Sequence, residues 1–123
     1  HFKETEGHDY VFITDWPFEA RPFYHMQDPN NRHLTRSFDL LGKGLEVATG
    51  AQREHRYEVL KTQALAKGLT LEPIQTYLNY FRYGTPPHGG FGFGLSRFLM
   101  VLLNLANIRE AVYIFRGPTR LLP

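Results

Sequence analysis

Cysteine is absent from the 123 residues. That excludes a disulfide scaffold, thiolate catalysis and any cysteine-held zinc or iron–sulfur site, and it fits a reducing compartment. Charge of one sign is also scarce. Fourteen Lys and Arg against 12 Asp and Glu leave a formal +2, which gives no electrostatic footprint for nucleic acid by itself. Long apolar runs are missing as well: Phe98-Leu99-Met100-Val101-Leu102-Leu103 is the longest, far short of the ~20 residues of a membrane span. No signal or transit peptide opens the chain, and its first residue is His1 rather than Met. The expectation is a piece of a longer, cytoplasmic protein without a membrane partner.

Aromatics are plentiful: 15% of residues, with ten Phe and seven Tyr. A core can therefore be built at this length, within one domain. His1–His8 reads as a frayed start. Tyr10–Thr14 is apolar, β-branched and aromatic, a strand stopped by Trp16-Pro17. Arg21–Met26 reads as a second strand and Gln27–Arg32 as a turn. Arg36–Leu41 and Gly44–Thr49 form a hairpin around a Gly42-Lys43 loop of type II′. That register sets Asp39 directly opposite Glu46. Helices are expected over His55–Lys67, ended by Gly68, and from a Thr70 cap with Pro73 in the first turn. Ile74, Tyr77, Leu78 and Phe81 fall on one face of the second helix, which Gly84 closes. Gly90–Leu95 alternates glycine with apolar residues, a strand by its period of two. Ser96 caps a helix over 97–104 that is apolar all round and should be buried. Ala111–Phe115 is the last strand, and Gly117-Pro118 breaks it.

Four groups of residues carry possible chemistry. Asp39 and Glu46, facing each other with Cβ atoms roughly 5 Å apart, would repel unless water or a hard ion such as Mg²⁺ lay between them. A solvated polar face is the plainer alternative. Thr49 could add a hydroxyl only if a bulge or a strand end near Ala48 turned it to the same face. Gly90, Gly92 and Gly94 leave one strand face bare, for a planar ligand or for close packing of another backbone. Phe91, Phe93 and Leu95 load the opposite face. The segment matches neither a P-loop nor a dinucleotide fingerprint. Arg97 sits in the first turn of a helix, where a cation opposes the dipole at roughly 0.3–1 kcal/mol. It is placed for a bound anion or for a neighbouring carboxylate. Arg53 could fork a substrate carboxylate or be a surface residue at a helix start. His25, His33, His55 and His88 show no metal spacing, and each is an ordinary histidine by default. His88, beside Pro86-Pro87 and the glycine strand, is the exception to watch. Nucleophile triads and nucleic-acid signatures are missing.

The segments SFDLLGKGLEVATGAQREHR, FRYGTPPHGGFGFGLSRFLM and IREAVYIFRGPTRLLP resemble the class II aminoacyl-tRNA synthetases, specifically the aspartyl branch of archaeal type. HDYVFITDWPFEARPFYHM looks like the same family, so the likeness covers nearly the whole chain. GxGxGxxR followed by an apolar helix, at about 90–104, resembles the family's third motif.

The resemblance implies an α+β fold, an antiparallel β-sheet of six-stranded type flanked by helices. It implies that residues 1–123 are the C-terminal half of a catalytic domain. Motifs 1 and 2 and the anticodon-binding domain would lie outside this segment. ATP and Mg²⁺ are the implied nucleotide and metal; L-aspartate and tRNA are the other substrates, and the parent would be a homodimer. Asp39, Glu46 and Thr49 match the metal side. Glu46, Gly92, Gly94 and Arg97 match the ATP side. Thr49, Gly50, Arg53, His88 and Gly89 match the aspartate side, with Arg53 and Arg97 as the arginines of catalysis. Ser96 and Gly117 depart from acidic residues common in relatives. The isolated segment is expected to be inactive. An asparaginyl enzyme, an asparagine-forming paralogue and a non-catalytic synthetase-derived module stay open as alternatives.

Overall fold

The computed structural model describes residues 2–122. Its frame is one antiparallel sheet of four strands in the order β1-β2-β3-β4. They are β1 (Tyr10–Thr14), β2 (Ser37–Gly42), β3 (Leu45–Arg53) and β4 (His88–Phe93). The helices are α1 (Phe2–Glu6), α2 (Tyr57–Ala66), α3 (Gln75–Asn79) and α4 (Leu95–Leu102). The expected antiparallel sheet with helices is thus present, with four strands among the described residues. Within His1–His8, His1 lies outside the described residues and α1 occupies part of the remainder.

The hairpin differs from its sequence reading by one residue. Gly42 pairs with Leu45 and the loop is Lys43-Gly44. Both loop residues have positive φ, 47° and 86°, as a type I′ turn requires. Gly42 is glycine for another reason: a Cβ there would lie 2.6 Å from the Tyr10 ring and 3.2 Å from Val101. It is a packing glycine, and Gly44 is the turn glycine.

A bulge follows, since Leu40 pairs with Ala48 while Leu41 pairs with Glu46. The extra residue, Val47, is 1% exposed. Asp39 therefore faces Thr49, not Glu46. The bulge returns Glu46 to the face of Asp39, one pair further along. All three residues share a face, through the kind of bulge that Thr49 demanded.

Three more expectations fail. Arg21–Met26 is not a strand. It is a looped segment touching the sheet by the single bridge His25 to Arg53, held by turn bonds such as His25 N–H to Pro22 O at 3.1 Å. Pro22 cannot donate to a ladder. Ala111–Phe115 is not a strand either: a 3₁₀ turn over Ile108–Ala111 carries a capping box of Asn107 and Glu110, and the chain beyond it finds no sheet edge. Finally, Ser96 is not a cap. Gly94 is the N-cap of α4, because its N–H still extends the ladder to Val47 O at 2.8 Å.

α2 packs on α3 and is tied by Gln63 and Lys67 to the segment between Phe18 and His25. Leu60, Ala64 and Leu78 are fully buried, as the stripes of both helices require. Gly68 and Gly84 end those helices at φ 74° and 89°. Thr70 does not cap the second one; Leu71 precedes a 3₁₀ turn with Pro73 at its start. α4 packs Phe98 against Tyr10 and Phe93, with ring centroids 6.1 and 5.2 Å apart. Its outer side is open: Leu95 and Leu102 are 60% and 54% exposed, and only Val101 of the helix is buried. The expectation of a fully buried helix is wrong, as is that of a core under Phe91 and Phe93, both exposed. Phe93 is only partly covered, by Phe98 of α4, and Phe91 is 69% exposed.

Candidate functional site

Alternation along β2, β3 and β4 collects Asp39, Thr49, Ala51, Arg53, Gly90 and Gly92 on one face. Gly92 stands opposite Thr49 and Gly90 opposite Ala51. A Cβ at either glycine would meet nothing within 4 Å. The bare strip is therefore open space rather than a close backbone contact. Gly94 leaves the strip; its Cβ would meet Arg97 and Val47 O at 3.4 Å. Over this face the Arg21–Met26 segment closes a cavity of about 310 Å³, lined by Arg21, Tyr24, His25, Thr49, Arg53 and Gly92 among others.

Asp39 is buried and fully engaged. Arg21 donates to one carboxylate oxygen at 2.6 Å, and the Thr49 hydroxyl donates to the other at 2.6 Å. Arg21 is itself stacked on Trp16 at 4.5 Å. Nothing in the sequence singled out Arg21; the only signal was its place beside Pro22 in the apolar stretch.

Arg53 is the last residue of β3, not a residue at a helix start. Its guanidinium lies over the Tyr24 ring at 4.2 Å. Among the described residues it has no carboxylate partner. An aromatic belt runs round it, from Tyr24 through Phe23, Tyr77 and Phe81 to His88, with neighbouring centroids 5.1–6.2 Å apart. Burial holds the Tyr77 hydroxyl above its ordinary range, opposed by Arg53.

His88 pairs with Arg53 across the sheet but is exposed, its Nδ1 against Pro86 O at 3.0 Å. It and Gly89 belong to β4 rather than to a loop, and neither lines the cavity. Gly50 does line it, yet its small size is set from the other face, where a Cβ would lie 2.7 Å from both Phe38 and Phe91.

His25 was read as an ordinary histidine, and it is not. It is 6% exposed, and its Nδ1 is buried without a partner. Burial, then the nearby Arg53 and Arg21, push it down to about 4 against a weaker pull from Asp39. Glu54, next to Arg53, is buried too. Burial raises its carboxyl, but the Arg56 guanidinium and the N–H groups of Arg56 and His55 more than offset this and hold it below its usual value.

At the far end of β3, Arg97 donates to Glu46 O at 3.1 Å and lies 3.6 Å from the Glu46 carboxylate. Both side chains are about half exposed, so the pair is weak. Asp39 and Glu46 give hard oxygen donors on one face. Both Asp39 oxygens are already engaged by Arg21 and Thr49, so the half-exposed Glu46 carboxylate is the donor open to a hard cation such as Mg²⁺, with Asp39 behind it. The two carboxylates do not form an all-protein cage, and no cluster of three or more His, Cys, Asp or Glu among the described residues could hold a metal.

A sheet with a bare strip, an arginine facing a cavity and a second arginine at a helix start has the room and the charge to accept an anionic, partly planar small molecule. Solved structures of this shape include class II aminoacyl-tRNA synthetases. An aspartyl-tRNA synthetase from Entamoeba histolytica superposes with a TM-score of 0.92 at 35% identity, over 99% of this chain and 25% of that one. An asparaginyl-tRNA synthetase from Pyrococcus horikoshii gives 0.85 at 34%, over 98% and 29%. In sequence, the family model "tRNA synthetases class II (D, K and N)" matches residues 2–116. The chain belongs to that family. It is 47% identical over its whole length to the aspartate–tRNA(Asp) ligase of Pyrococcus furiosus and 50% identical over 115 residues to the aspartate–tRNA(Asp/Asn) ligase of Aeropyrum pernix. It spans 28% and 26% of those relatives, about a quarter of their length.

Proposed function

We propose that this chain is the part of an aspartate–tRNA ligase catalytic domain that builds the aspartate pocket and the metal–phosphate side of the adenylation site, the C-terminal half of that domain. The observation that carries the reading is Arg53: a guanidinium without a carboxylate partner among the described residues, facing a cavity beside Thr49 and bare Gly92. A planar fork of donors matches a carboxylate.

In this reading Arg53 takes the substrate's side-chain carboxylate. Arg21 holds the Asp39 carboxylate in place, and Asp39 in turn aims the Thr49 hydroxyl. The strip of Gly90 and Gly92 leaves room for a flat base. Arg97 would leave Glu46 to take phosphate oxygens, and Glu46, with Asp39 on the same face, would hold Mg²⁺, whose chemistry there would be charge neutralisation. No protein nucleophile is required, since positioning and charge stabilisation suffice for an in-line displacement. The aspartyl group would then pass to tRNA. A homodimeric parent and a cytoplasmic setting belong to the same reading.

The test is ATP–pyrophosphate exchange by the complete ligase with aspartate and with asparagine. Arg53→Ala should raise the aspartate KM by at least tenfold, about the 1.5–3 kcal/mol of a hydrogen bond to a charged group. Preferred activation of asparagine would instead assign the asparaginyl enzyme, and no exchange with either would favour a non-catalytic module. The 123-residue chain alone should show none.

A further inference from the structure

The guanidinium of Arg53 takes its orientation from an aromatic ring rather than from a hydrogen bond. Its carbon is 4.2 Å from the Tyr24 centroid, and among the described residues no hydrogen bond holds its nitrogens. A planar cation stacked on a ring is restrained to the ring's plane.

The ring is itself fixed from three sides. Tyr24 O accepts from Glu54 N–H at 3.0 Å. The rings of Phe23 and His25 meet it edge-on at 5.4 and 5.3 Å. Behind it, the buried amide of Gln63 on α2 donates to Phe23 O and to His25 O, the latter at 3.0 Å. Tyr24 cannot swing out without unsettling carbonyls that a buried side chain holds, which is costly. The Tyr24 hydroxyl has no hydrogen-bond partner among the described residues, so the ring is what matters.

We propose that Tyr24 is a positioning residue that sets the plane of Arg53 and thereby the preference of the pocket for a side-chain carboxylate over a carboxamide. A carboxylate gains from a fork held in plane because it accepts two parallel bonds. A carboxamide offers one acceptor and a clashing donor, so orienting the fork helps it less. The proposal rests on reading Arg53 as the group that takes the substrate side chain.

The experiment uses the complete ligase with Tyr24→Phe, Tyr24→Leu, Tyr24→Met and Arg53→Ala. Exchange kinetics with aspartate, asparagine and ATP are measured beside thermal unfolding. Loss of the stack in Tyr24→Leu and Tyr24→Met should raise the aspartate KM by about 3- to 30-fold, the span of a partly desolvated cation–π contact. The ATP KM should move less than twofold, and the aspartate-to-asparagine preference should narrow. Tyr24→Phe, which keeps the ring, should restore most of the aspartate KM. The proposal is overturned if Leu and Met leave the aspartate KM within twofold, if the ATP KM rises in parallel, or if Phe is as damaging as Leu. It is equally overturned if Leu and Met both melt below the assay temperature, for the ring is then structural. Arg53→Ala separates the two readings. No effect of Arg53→Ala on aspartate removes the pocket assignment itself; an effect there with none at Tyr24 removes only the positioning role.

Discussion

The region around β2, β3 and α2 and the region around β4 and α4 both border on strand β3 but differ in how they are finished. Around β2, β3 and α2, Val47, Thr35, Leu60 and Leu78 are at most 1% exposed, and Asp39, Glu54 and Gln63 are buried with partners. Around β4 and α4, every β4 residue is exposed, and so are Leu95, Leu102 and Tyr113. The buried side holds the arginine pocket. The open region holds Arg97 and the glycine strip, whose Gly92 lies on the same sheet face as Arg53 and lines the same cavity. On the proposed reading, the groups that select one side chain stand on rigid packing, and those that take a flat base and phosphates stand where large ligands can approach.

The sharpest way to break this contrast is to damage the finished side. Leu60→Ala should cost about 2–5 kcal/mol of stability, because a fully buried leucine leaves a cavity that the sheet cannot fill. Chemical denaturation of the 123-residue chain measures it. A loss under 1 kcal/mol would mean that the side called finished is loosely packed.

Arg97→Ala tests the open side. The Arg97–Glu46 pair is half exposed, so the melting temperature should stay nearly unchanged. In the complete ligase, ATP affinity and adenylate formation should fall by about 1.5–3 kcal/mol, as for a lost hydrogen bond to a charged group. Arg97→Lys should rescue only part, since a point charge is no planar fork. A lower melting temperature with normal exchange per folded molecule would make Arg97 structural.

His25 supplies a pH test of the pocket side. Its folded value, about 4, lies below its ordinary 6.5. Between those values the unfolded chain binds the proton and the folded chain does not. Stability is therefore fully present above pH 6.5 and falls as the pH drops toward 4, by about 1–3 kcal/mol. Arg53 and Arg21 disfavour the proton and Asp39 favours it, so the sign rests on burial and the two arginines. Denaturation midpoints at pH 7 and 4.5 should diverge for the native chain and converge for His25→Gln. Equal divergence in both would assign the effect to other groups.

The smallest expected effect completes the comparison. Phe91→Ser, at a residue 69% exposed, should change the stability of the 123-residue chain by no more than about 0.5 kcal/mol. A loss comparable with that of Leu60→Ala would show that the open side is covered in solution.

Local chemistry made much of this legible. Tyr10–Thr14 as a strand, the stripes of Leu60, Ala64 and Leu78, and the glycine ends of both helices follow from side-chain period and backbone freedom, which act over a few residues. The bare face of Gly90 and Gly92 was legible for the same reason. GxGxGxxR together with EVATGAQR and PPHGG pointed to the family and, by resemblance, to the candidate residues, although not to their neighbours.

Only the tertiary structure decided the rest. Gly42 and Gly44 look alike in sequence, and only the Tyr10 ring over one and the positive φ of the other fix the register. One bulged residue, Val47, then decides that Asp39 meets Thr49 and that Glu46 returns to the same face. Arg21 on Asp39, Tyr24 under Arg53 and His25 emptied of charge join residues far apart in the chain. Local composition carries no trace of such contacts, because their energies arise from burial and from charges that only the closed fold brings together.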